Sequence, residues 1–448
     1  MSQIENELEN DQLKLHQRKK KPKAPVVVEN WLVRTTVVVL YALLLTAIVF
    51  VNIRAEKTWE YVIGAFSTIS FGYLLLKVVV SYFYNPAKQE PKKDYKVSVI
   101  IPNYNESIES VNEGLACLLQ QDYPLHEIIF IDDGSTDDSA YVEVCKMAQV
   151  IHSKNDPSLP KIITHQFEKN KGKKAAQAWG FTHATGDIFL LFDSDGYIFP
   201  DAVRELLKPF NDDQVMSVVG HINARNVKEN LLTRLQDIVY DKAFRVGRGA
   251  QSVTNAVLVC SGAISMHRAN MVVDHLDEFL SPTVSGVPCE VGDDRMLTDI
   301  SLKYGGKTKY QSTAVCLTDV PNKLKQLFKQ QVRWGKSTYL FSIASLKHAW
   351  KKPFMLVWLL GEGYTWLFYS VSLVASFLQW SETYAMTFVI YSLGYLFLVA
   401  FISGVYYIFK NPLVYLFSPI FALMYMVILV PIRVWALVTI NKTSWGTR

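Results

Sequence analysis

Acidic residues follow two apolar runs of this chain, where each run gives way to a turn. Asp193 and Asp195 follow I-F-L-L-F as D-S-D-G, and Asp132 with Asp133 follows E-I-I-F-I as D-D-G-S. A lone D-x-D is most often a plain acidic turn, but two such ends in one chain favour a shared site. Carboxylate oxygens suit Mg²⁺ or Mn²⁺, which usually bind one or two protein carboxylates together with substrate phosphates. Such a cation neutralises a diphosphate leaving group. The pattern therefore predicts a site for a nucleotide and its metal, which is what transfer from a nucleoside diphosphate sugar would demand.

A transfer of this kind also needs a general base and a counter-charge for phosphate. Asp293 and Asp294 follow Gly292 in V-G-D-D-R-M-L-T, and either carboxylate could take the proton of an acceptor hydroxyl. Lys173 and Lys174, in N-K-G-K-K, could meet phosphate oxygens as point charges. Taken alone, G-D-D is a common turn and paired lysines are usually a solvated surface run, so both assignments depend on their surroundings.

Signatures of several other chemistries are missing from the sequence. The chain has no G-x-x-x-x-G-K-[ST] phosphate loop and no G-x-S-x-G nucleophile motif. Gly247-Arg248-Gly249 lacks the third glycine of a dinucleotide fingerprint, and D-D-G-S-T-D-D lacks the ligand spacing of an EF-hand loop. The motifs therefore give no support to P-loop, dinucleotide, calcium-loop or acyl-hydrolase chemistry.

Residues 95–320 have the pattern of an α/β domain that could position these side chains. Short β-branched runs alternate with polar, helix-like stretches, which predicts a mostly parallel sheet with helices on both faces. Ligands of such sheets bind beyond the carboxyl ends of the strands, where both acidic turns lie. The predicted strands are 97–101, 127–131, 161–165, 187–192, 215–222 and 256–262.

Two apolar segments precede this domain. Half of the 448 residues are hydrophobic, and the excess is concentrated before residue 85 and after residue 352. The segments 31–53 and 60–84 are each long enough to cross a hydrocarbon core of about 30 Å. The alternative is that both segments are buried helices of a large soluble protein. Segments with so few charged residues fit that alternative poorly. We therefore expect two transmembrane helices within residues 29–85.

Charged residues beside the apolar segments predict their orientation. Residues 1–28 form a tail that contains K-L-H-Q-R-K-K-K-P-K, and the positive-inside rule assigns such a tail to the cytoplasm. Two crossings then return residues 95–320 to the cytoplasm. The net charge of +5 is explained by these flanks and requires no nucleic-acid partner. Five scattered cysteines without a C-x-x-C pair fit a reducing compartment and argue against disulfides or a zinc site.

The C-terminal part of the chain is again membrane-like. Residues 321–350 are basic and aromatic with helical periodicity, which predicts an amphipathic segment on an anionic lipid surface. Residues 352–440 contain three apolar blocks, which are 353–380, 383–409 and 412–440.

The last apolar block has two possible topologies. Pro419 and Pro431 interrupt it, and it is too short for two full crossings. It either crosses once or is re-entrant, and Arg433, Lys442 and Arg448 favour the second because they then remain inside. An irregular backbone within the membrane is tolerated only where it is buried in protein or lines a cavity. A channel for the polymer would be such a cavity.

Five motifs occur in order across more than 200 residues, and they are P-N-Y-N-E, D-D-G-S, D-S-D, G-D-D-R and Q-x-x-R-W. Together they resemble the processive family 2 glycosyltransferases, which are the cellulose, chitin and hyaluronan synthases. The resemblance implies an α/β catalytic domain of Rossmann-like GT-A fold, combined with an α-helical transmembrane domain.

Longer segments narrow the resemblance to the class I hyaluronan synthases of streptococcal type. These segments are H-I-N-A-R-N-V-K-E-N-L-L-T-R-L-Q-D-I-V-Y-D-K-A-F, G-A-Q-S-V-T, V-G-D-D-R-M-L-T and the terminal W-G-T-R. That family implies alternating addition of GlcNAc and GlcA from UDP-sugars at the plasma membrane, with secretion of the polysaccharide through the same polypeptide. Three alternatives stay open: another β-glycan or capsule synthase, a non-processive lipid-linked sugar transferase, and a non-catalytic transporter or receptor.

The resemblance also implies roles for residues on the nucleotide side of the site. Asp195 would hold the Mg²⁺ or Mn²⁺ ion, and Asp193 would support the UDP. Tyr104 and Asp132 would lie near the uridine, and Lys173 would lie near the diphosphate.

On the acceptor side, the resemblance makes Asp294 the catalytic base. Gln330, Arg333 and Trp334 would form the acceptor site at the mouth of the channel. An aromatic plane is a good platform for a sugar ring, although Trp334 could instead be an interfacial anchor. The motif in residues 441–448 would close over bound UDP-sugar as a gate formed by Trp445, Gly446, Thr447 and Arg448.

Overall fold

The computed structural model describes residues 31–53, 58–281, 283–378 and 404–441, together with Gly394, Phe397, Ala400 and Phe401. The basic tail of residues 1–28 and the four gating residues Trp445, Gly446, Thr447 and Arg448 lie outside the described residues. Most of the predicted block 383–409 also lies outside them.

The central domain is built on an eight-stranded mixed sheet with the order β3-β2-β1-β4-β7-β6-β10-β5. Strands β3, β2, β1 and β4 are parallel, β6 pairs with β10 in parallel, and β7 and β5 run antiparallel to their neighbours. A small separate hairpin is formed by β8 and β9. The strands are β1 Val97–Asn103, β2 Glu127–Asp132, β3 Lys161–Gln166, β4 Ile188–Phe192, β5 Tyr197–Ile198, β6 Val215–Ala224, β7 Ile264–Arg268, β8 Thr283–Val284, β9 Val287–Pro288 and β10 Lys307–Thr318.

Helices cover both faces of this sheet and continue into the apolar segments. The α-helices are α1 Trp31–Ile53, α2 Thr58–Tyr82, α3 Ile108–Leu119, α4 Ser139–Ser153, α5 Lys173–His183, α6 Ala202–Leu207, α7 Leu231–Lys242, α8 Gly249–Val253, α9 Ala269–Val273, α10 Leu276–Phe279, α11 Asp293–Lys303, α12 Leu324–Ala349, α13 Pro353–Leu378, α14 Pro412–Tyr415, α15 Ser418–Met424 and α16 Val430–Val438. Short 3₁₀ segments span Lys208–Asn211 and Val405–Phe409, and π-helical segments span Ala243–Arg248 and Tyr425–Leu429.

The central strands are apolar because both of their faces are covered. In β2, Ile128 and Phe130 pack into one hydrophobic cluster, and Ile129 and Ile131 pack into another on the opposite face. All residues of β4 are buried as well. Continuous apolar runs of this kind are typical of parallel strands between two helical layers, so the predicted α/β architecture is confirmed.

Five of the six predicted strands are confirmed, and the prediction for 256–262 is wrong. Ala256 forms only an isolated bridge with Thr308, and the strand of this region is β7, which begins at Ile264. Residues 256–262 form a buried loop, in which the Cys260 N–H donates to Thr298 Oγ1 at 2.9 Å. Side-chain partners therefore satisfy the backbone of this apolar run. The long strand β10 was not predicted.

The two N-terminal apolar helices pack against each other. Arg34 on α1 donates to the carbonyl oxygens of Tyr82 (3.1 Å) and Tyr84 (2.8 Å), which fixes the end of α2 beside the start of α1. Within the described part of the chain, only Trp31–Phe50 is long and apolar enough to cross a membrane, and Thr68–Tyr82 is a shorter apolar helix.

The C-terminal helices pack closely on one another. The amphipathic region is one continuous helix, α12, and a Cβ on its Gly335 would lie 2.9 Å from the Cβ of Ala436 on α16. The 412–440 block is broken into α14, α15, a π-helical segment and α16. Pro412 lies in the first turn of α14, where a missing N–H costs no intrahelical hydrogen bond. Pro431 instead lies at the start of α16, just after the π-helical segment Tyr425–Leu429, which is continuous with α15 and α16.

Candidate active site

Asp132 ends β2 and is fully buried at the carboxyl edge of the sheet. Its Oδ1 accepts hydrogen bonds from Asn103 Nδ2 (2.8 Å) and Ser135 Oγ (2.6 Å). Its Oδ2 accepts from the Ser135 N–H (3.0 Å) and from Gln166 Nε2 (3.2 Å). These donors come from β1, β3 and the turn after β2, so Asp132 holds three strand ends together. Tyr104 follows directly on Asn103 and is half-buried beside them.

Asp133 fixes the loop that leads into α5. Its two oxygens accept from the backbone N–H groups of Lys171 (2.8 Å) and Gly172 (2.9 Å). Gly134 has a φ of +68°, and a Cβ at this position would lie 2.5 Å from the carbonyl carbon of Lys169. The D-D-G turn and the loop are therefore in direct backbone contact, which only glycine allows. This contact sets the position at which Lys173 begins α5.

The D-S-D turn lies at the end of the neighbouring strand β4. The Gly196 N–H donates to the carbonyl oxygen of Asp193 at 2.9 Å and closes the turn. A Cβ on Gly114 would lie 3.0 Å from the Ser194 carbonyl oxygen, so α3 packs directly against the turn. Asp193 and Asp195 are half-buried on either side of the buried Ser194.

The ammonium group of Lys173 joins the D-S-D turn to the G-D-D turn. Its Nζ lies 2.6 Å from Asp193 Oδ1 and 3.8 Å from Asp293 Oδ2. Burial alone would lower the pKa of Lys173, but the two carboxylates raise it above its ordinary value. Gln177 Nε2 donates to Asp293 Oδ2 at 2.8 Å, and a Cβ on Gly262 would lie 3.5 Å from Lys173 Nζ. Lys173 is therefore part of a charged cluster, not of a solvated run.

Lys174 lies apart from this cluster. Its Nζ donates to the carbonyl oxygen of Cys289 at 3.2 Å and lies 3.3 Å from Met296 Sδ. Burial lowers the pKa of Lys174. Of the two candidate phosphate ligands, only Lys173 is bonded to the acidic turn.

Asp294 lies in the first turn of α11, directly after the charged cluster. Gly292 precedes the helix with a φ of +83°, and the Asp294 Oδ1 accepts from the Arg295 N–H at 2.8 Å. Burial and the neighbouring Asp293 raise the pKa of Asp294 to about 6, against the opposing charges of Arg295 and Lys173. A carboxylate with this pKa is a better general base near neutral pH than an ordinary surface aspartate.

The G-D-D turn is packed against α12, which carries the Q-x-x-R-W motif. A Cβ on Gly292 would overlap with Ser337 Oγ and would lie 2.8 Å from Phe341 Cε2. Ser337 follows Trp334 by three residues, which is about one turn of the helix. The helix therefore brings the predicted acceptor residues next to the predicted base.

Trp334 has an aromatic neighbour on α7. The ring of Trp334 lies 6.3 Å from the ring of Tyr240 at an interplanar angle of 36°, and its side chain is 40% exposed. Burial raises the pKa of Tyr240, which also responds to the charges of Arg333 and Asp195. Tyr240 thus lies within electrostatic reach of both Asp195, the predicted metal ligand, and Arg333 of the Q-x-x-R-W motif. On the same helix as Trp334, Gln330 has a buried Oε1 without a hydrogen-bond partner among the described residues.

The carboxylates fit a hard divalent cation. No three His, Cys, Asp or Glu side chains come together as a ready-made metal site within the described ranges. Asp193 and Asp195 supply two carboxylates on one turn, which suits Mg²⁺ or Mn²⁺ completed by phosphate oxygens. It does not suit a structural zinc ion, which needs four protein ligands.

Within the described residues, the structure thus brings the predicted nucleotide-side residues and Asp294 to one edge of the sheet, and α12 with the Q-x-x-R-W motif packs beside them. Three further residues were not predicted: Gln177, Gly262 and Tyr240. None of them lies in one of the five motifs, although Tyr240 belongs to the longer segment that begins at His221.

Comparison with known proteins gives the fold and the family. Residues 98–275 match the family model described as glycosyl transferase family 2. Among solved structures, a mannosyltransferase from Pyrobaculum calidifontis in complex with GDP-Man and Mn²⁺ is similar, with a TM-score of 0.58 and 20% identity. The likeness covers 84% of this chain and 96% of that one, and it shows the GT-A fold.

Two curated relatives extend the comparison beyond the fold. An N-acetylglucosaminyltransferase of Azorhizobium caulinodans is 35% identical over 254 residues, which are 56% of this chain and 62% of that protein. A hyaluronan synthase of Streptococcus pyogenes serotype M1 is 39% identical over 417 residues, which are 93% of this chain and 97% of that protein. Because this identity extends over nearly the whole length of both proteins, the chain belongs to the hyaluronan synthase family of glycosyltransferases.

Proposed function

We propose that the chain polymerises hyaluronan from UDP-GlcNAc and UDP-GlcA and secretes the growing polysaccharide through its own membrane helices. The observation that carries the proposal is the junction of three turns at one sheet edge. Lys173 links the D-S-D and G-D-D turns, and the G-D-D turn touches the helix that carries Trp334. Donor, base and acceptor groups can therefore act on a single activated sugar.

The nucleotide would bind at the carboxyl ends of β1, β2 and β4. Asp132 orients the strand ends that form the uridine pocket, and Tyr104 offers its ring beside them. Asp195, with Asp193, would hold a Mg²⁺ or Mn²⁺ ion, which neutralises charge on the UDP leaving group. Lys173 adds a positive charge for the diphosphate, and it can exchange its contact with Asp193 for a phosphate oxygen.

Asp294 would then take the proton from the acceptor hydroxyl. Its raised pKa leaves it mostly ionised at neutral pH while keeping it a competent base. The acceptor sugar would stack on Trp334, with Gln330 and Arg333 as hydrogen-bonding partners. Among the described residues the buried Oε1 of Gln330 has no donor, which supports this assignment, because a buried acceptor atom is costly without one.

We also propose a multi-pass arrangement in the plasma membrane, with the catalytic domain in the cytoplasm. Helices α1 and α2 would cross as a pair, and α12 would lie on the lipid surface. Lys410 binds Asn223 and Asp237 of the catalytic domain, which supports a cytoplasmic position for the start of the 412–440 block. A re-entrant block would keep Trp445, Gly446, Thr447 and Arg448 on the same side as the nucleotide, where they could act as the gate.

A paired substrate assay tests the proposed reaction. Purified protein in lipid is supplied with Mg²⁺ and with each UDP-sugar alone or with both together, and the product is digested with hyaluronidase. Long polymer that forms only with both sugars and is degraded by hyaluronidase is the expected result. Polymer from a single sugar would instead identify a homopolymer synthase.

Product length separates the proposal from a non-processive transferase. Such an enzyme would add one or a few sugars to a lipid acceptor, and gel electrophoresis of the radiolabelled product would show only short species.

A metal titration after treatment with EDTA tests which cation is required. If the site needs a small octahedral ion, activity should return with Mg²⁺ or Mn²⁺ and not with Ca²⁺.

A further inference from the structure

A buried charge connects the catalytic domain to the C-terminal segment. Asp237 on α7 is fully buried. Its Oδ1 accepts from the Ala224 N–H at 3.0 Å, and its Oδ2 accepts from Tyr407 OH (2.6 Å) and Lys410 Nζ (2.7 Å). Lys410 Nζ also donates to Asn223 Oδ1 at 2.7 Å. One ammonium group therefore bonds to both the end of β6 and the middle of α7.

Apolar packing surrounds this polar contact. Leu235 and Ile238 of α7 form one hydrophobic cluster with Tyr407, Val414 and Tyr415. The Asn411 side chain caps α14 by accepting from the Val414 N–H. Asp237 is closed off from water, whereas the Lys410 side chain is 22% exposed. Loss of Lys410 would therefore leave a buried carboxylate without its counter-charge, which is more costly than loss of a surface ion pair.

The same helix carries an aromatic side chain toward the acceptor motif. Tyr240 follows Asp237 by three residues, so the two lie about one turn apart on α7. The Tyr240 ring neighbours Trp334 at 6.3 Å. A shift of α7 against the C-terminal segment would therefore move Tyr240 relative to Trp334.

We propose that Asp237 and Lys410 form a latch that positions Tyr240 beside Trp334, and that this latch sets how long the growing polysaccharide stays bound between additions. The proposal rests on the proposed acceptor site at Trp334. Tyr240 is the second aromatic wall of that site, and Asp237 and Lys410 act through it as positioning residues. When the latch is broken, sugar transfer continues but the polymer dissociates earlier.

Product length at matched active-enzyme concentration tests the latch. Lys410→Met removes the ammonium group, and Lys410→Arg keeps a cation that can reach both Asp237 and Asn223. We expect Lys410→Met to shorten the mean product about fivefold or more, while the initial rate of UDP release changes much less. Lys410→Arg should restore most of the length. Lys351→Met serves as the matched control, because Lys351 is an exposed lysine of the membrane flank that takes no part in the latch.

A purely structural role predicts a different result. In that case Lys410→Met lowers the amount of folded enzyme, yet each active molecule makes polymer of normal length, and this outcome would overturn the latch. If Lys410→Met does not fold, the double variant Asp237→Asn with Lys410→Met removes both charges, and it should fold while still giving short product. Normal product length from the folded double variant also contradicts the proposal.

Two further variants separate the latch from the acceptor site on which it rests. In a Tyr240→Ala background, Lys410→Met should shorten the product no further, because both changes act at the same place. Additive shortening would refute the route through Tyr240. If Trp334→Ala leaves the product length unchanged, the acceptor site itself is wrong. If Trp334→Ala shortens the product and folded Lys410→Met does not, only the latch fails.

Discussion

Lys173 and Asp193 form an ion pair at 2.6 Å that joins the start of α5 to the D-S-D turn, where we propose that the diphosphate binds. The pair keeps the ammonium group charged and oriented before substrate arrives. A bound diphosphate can therefore replace one carboxylate contact with a phosphate contact and need not order a free lysine side chain.

We expect Lys173→Met to weaken UDP binding by roughly tenfold to a hundredfold, since a charge-assisted hydrogen bond contributes about 1.5–3 kcal/mol. Isothermal titration of UDP in the presence of Mg²⁺ measures the change. Lys174→Met is the matched control, because Lys174 binds the Cys289 carbonyl and lies away from the acidic turn. Equal losses in the two variants would contradict the assignment of Lys173 to the diphosphate.

Asp294→Asn should reduce sugar transfer by about a hundredfold to ten-thousandfold, the usual range for loss of a general base. The amide keeps the shape of the side chain and its place in the first turn of α11. UDP affinity should therefore remain close to that of the unchanged protein, as measured by the same titration. Polymerisation at a near-normal rate would rule out Asp294 as the base.

The rate of transfer should fall as the pH drops through about 6, the raised pKa of Asp294. The direction follows from its role: the base must be ionised, the ionised form dominates above the pKa, and protonation removes it below. Initial rates at low substrate between pH 5 and 8 report this titration. A thermal unfolding scan at each pH is the control for stability. A flat profile down to about pH 5 with the protein still folded would speak against the prediction.

Gly292→Ala should be more damaging than an alanine at another glycine with a similar backbone. Gly292 and Gly305 have φ values of +83° and +89°, so both substitutions strain the backbone by about 1–3 kcal/mol. A Cβ at Gly292 also collides with Ser337 and Phe341, whereas a Cβ at Gly305 meets no atom within 4 Å. We expect Gly305→Ala to lower thermal stability only, and Gly292→Ala to lower transfer activity as well. The same residual activity in both variants would show that contact with α12 is unimportant.

Trp334→Ala should shorten the polysaccharide and raise the apparent KM for acceptor chains, while Trp350→Ala should leave both unchanged. Both tryptophans belong to the same amphipathic region, with side chains 40% and 68% exposed. An interfacial anchor would be lost equally in either variant. Product length measured in lipid vesicles distinguishes a sugar platform from a membrane anchor, and similar effects of the two changes would favour the anchor.

The acidic strand ends could be predicted because their signal is local. An apolar run that ends in D-D-G or D-S-D indicates, within ten residues, both a buried strand and the polar edge of the sheet at which it ends. The roles of Asp293 and Lys173 depend instead on contacts 20 and 120 residues apart along the chain. The local pattern alone does not distinguish Lys173 from Lys174. The family resemblance favours Lys173, and the fold shows that Lys173 contacts Asp193 while Lys174 binds the Cys289 carbonyl.

Other features had no local signal or a misleading one. Residues 256–262 are as apolar as a strand, but their backbone bonds go to side chains such as Thr298. Tyr240 lies on an ordinary helix, and the sequence gives no sign that its ring neighbours Trp334 of α12. Gln177 shows the same limit, because its partner Asp293 is 116 residues away.

The close approach of Gly335 on α12 to Ala436 on α16 restricts how these two helices can move against each other. With one methyl group separating two backbones, α12 and α16 have no room to approach further, and pulling them apart would open a void. For helices packed in this way, sliding past each other while staying in contact costs the least free energy. Any movement of α12 against α16 is therefore expected to carry Trp334 along the surface of α16, so a spin-label pair across these helices should report sliding at nearly constant separation.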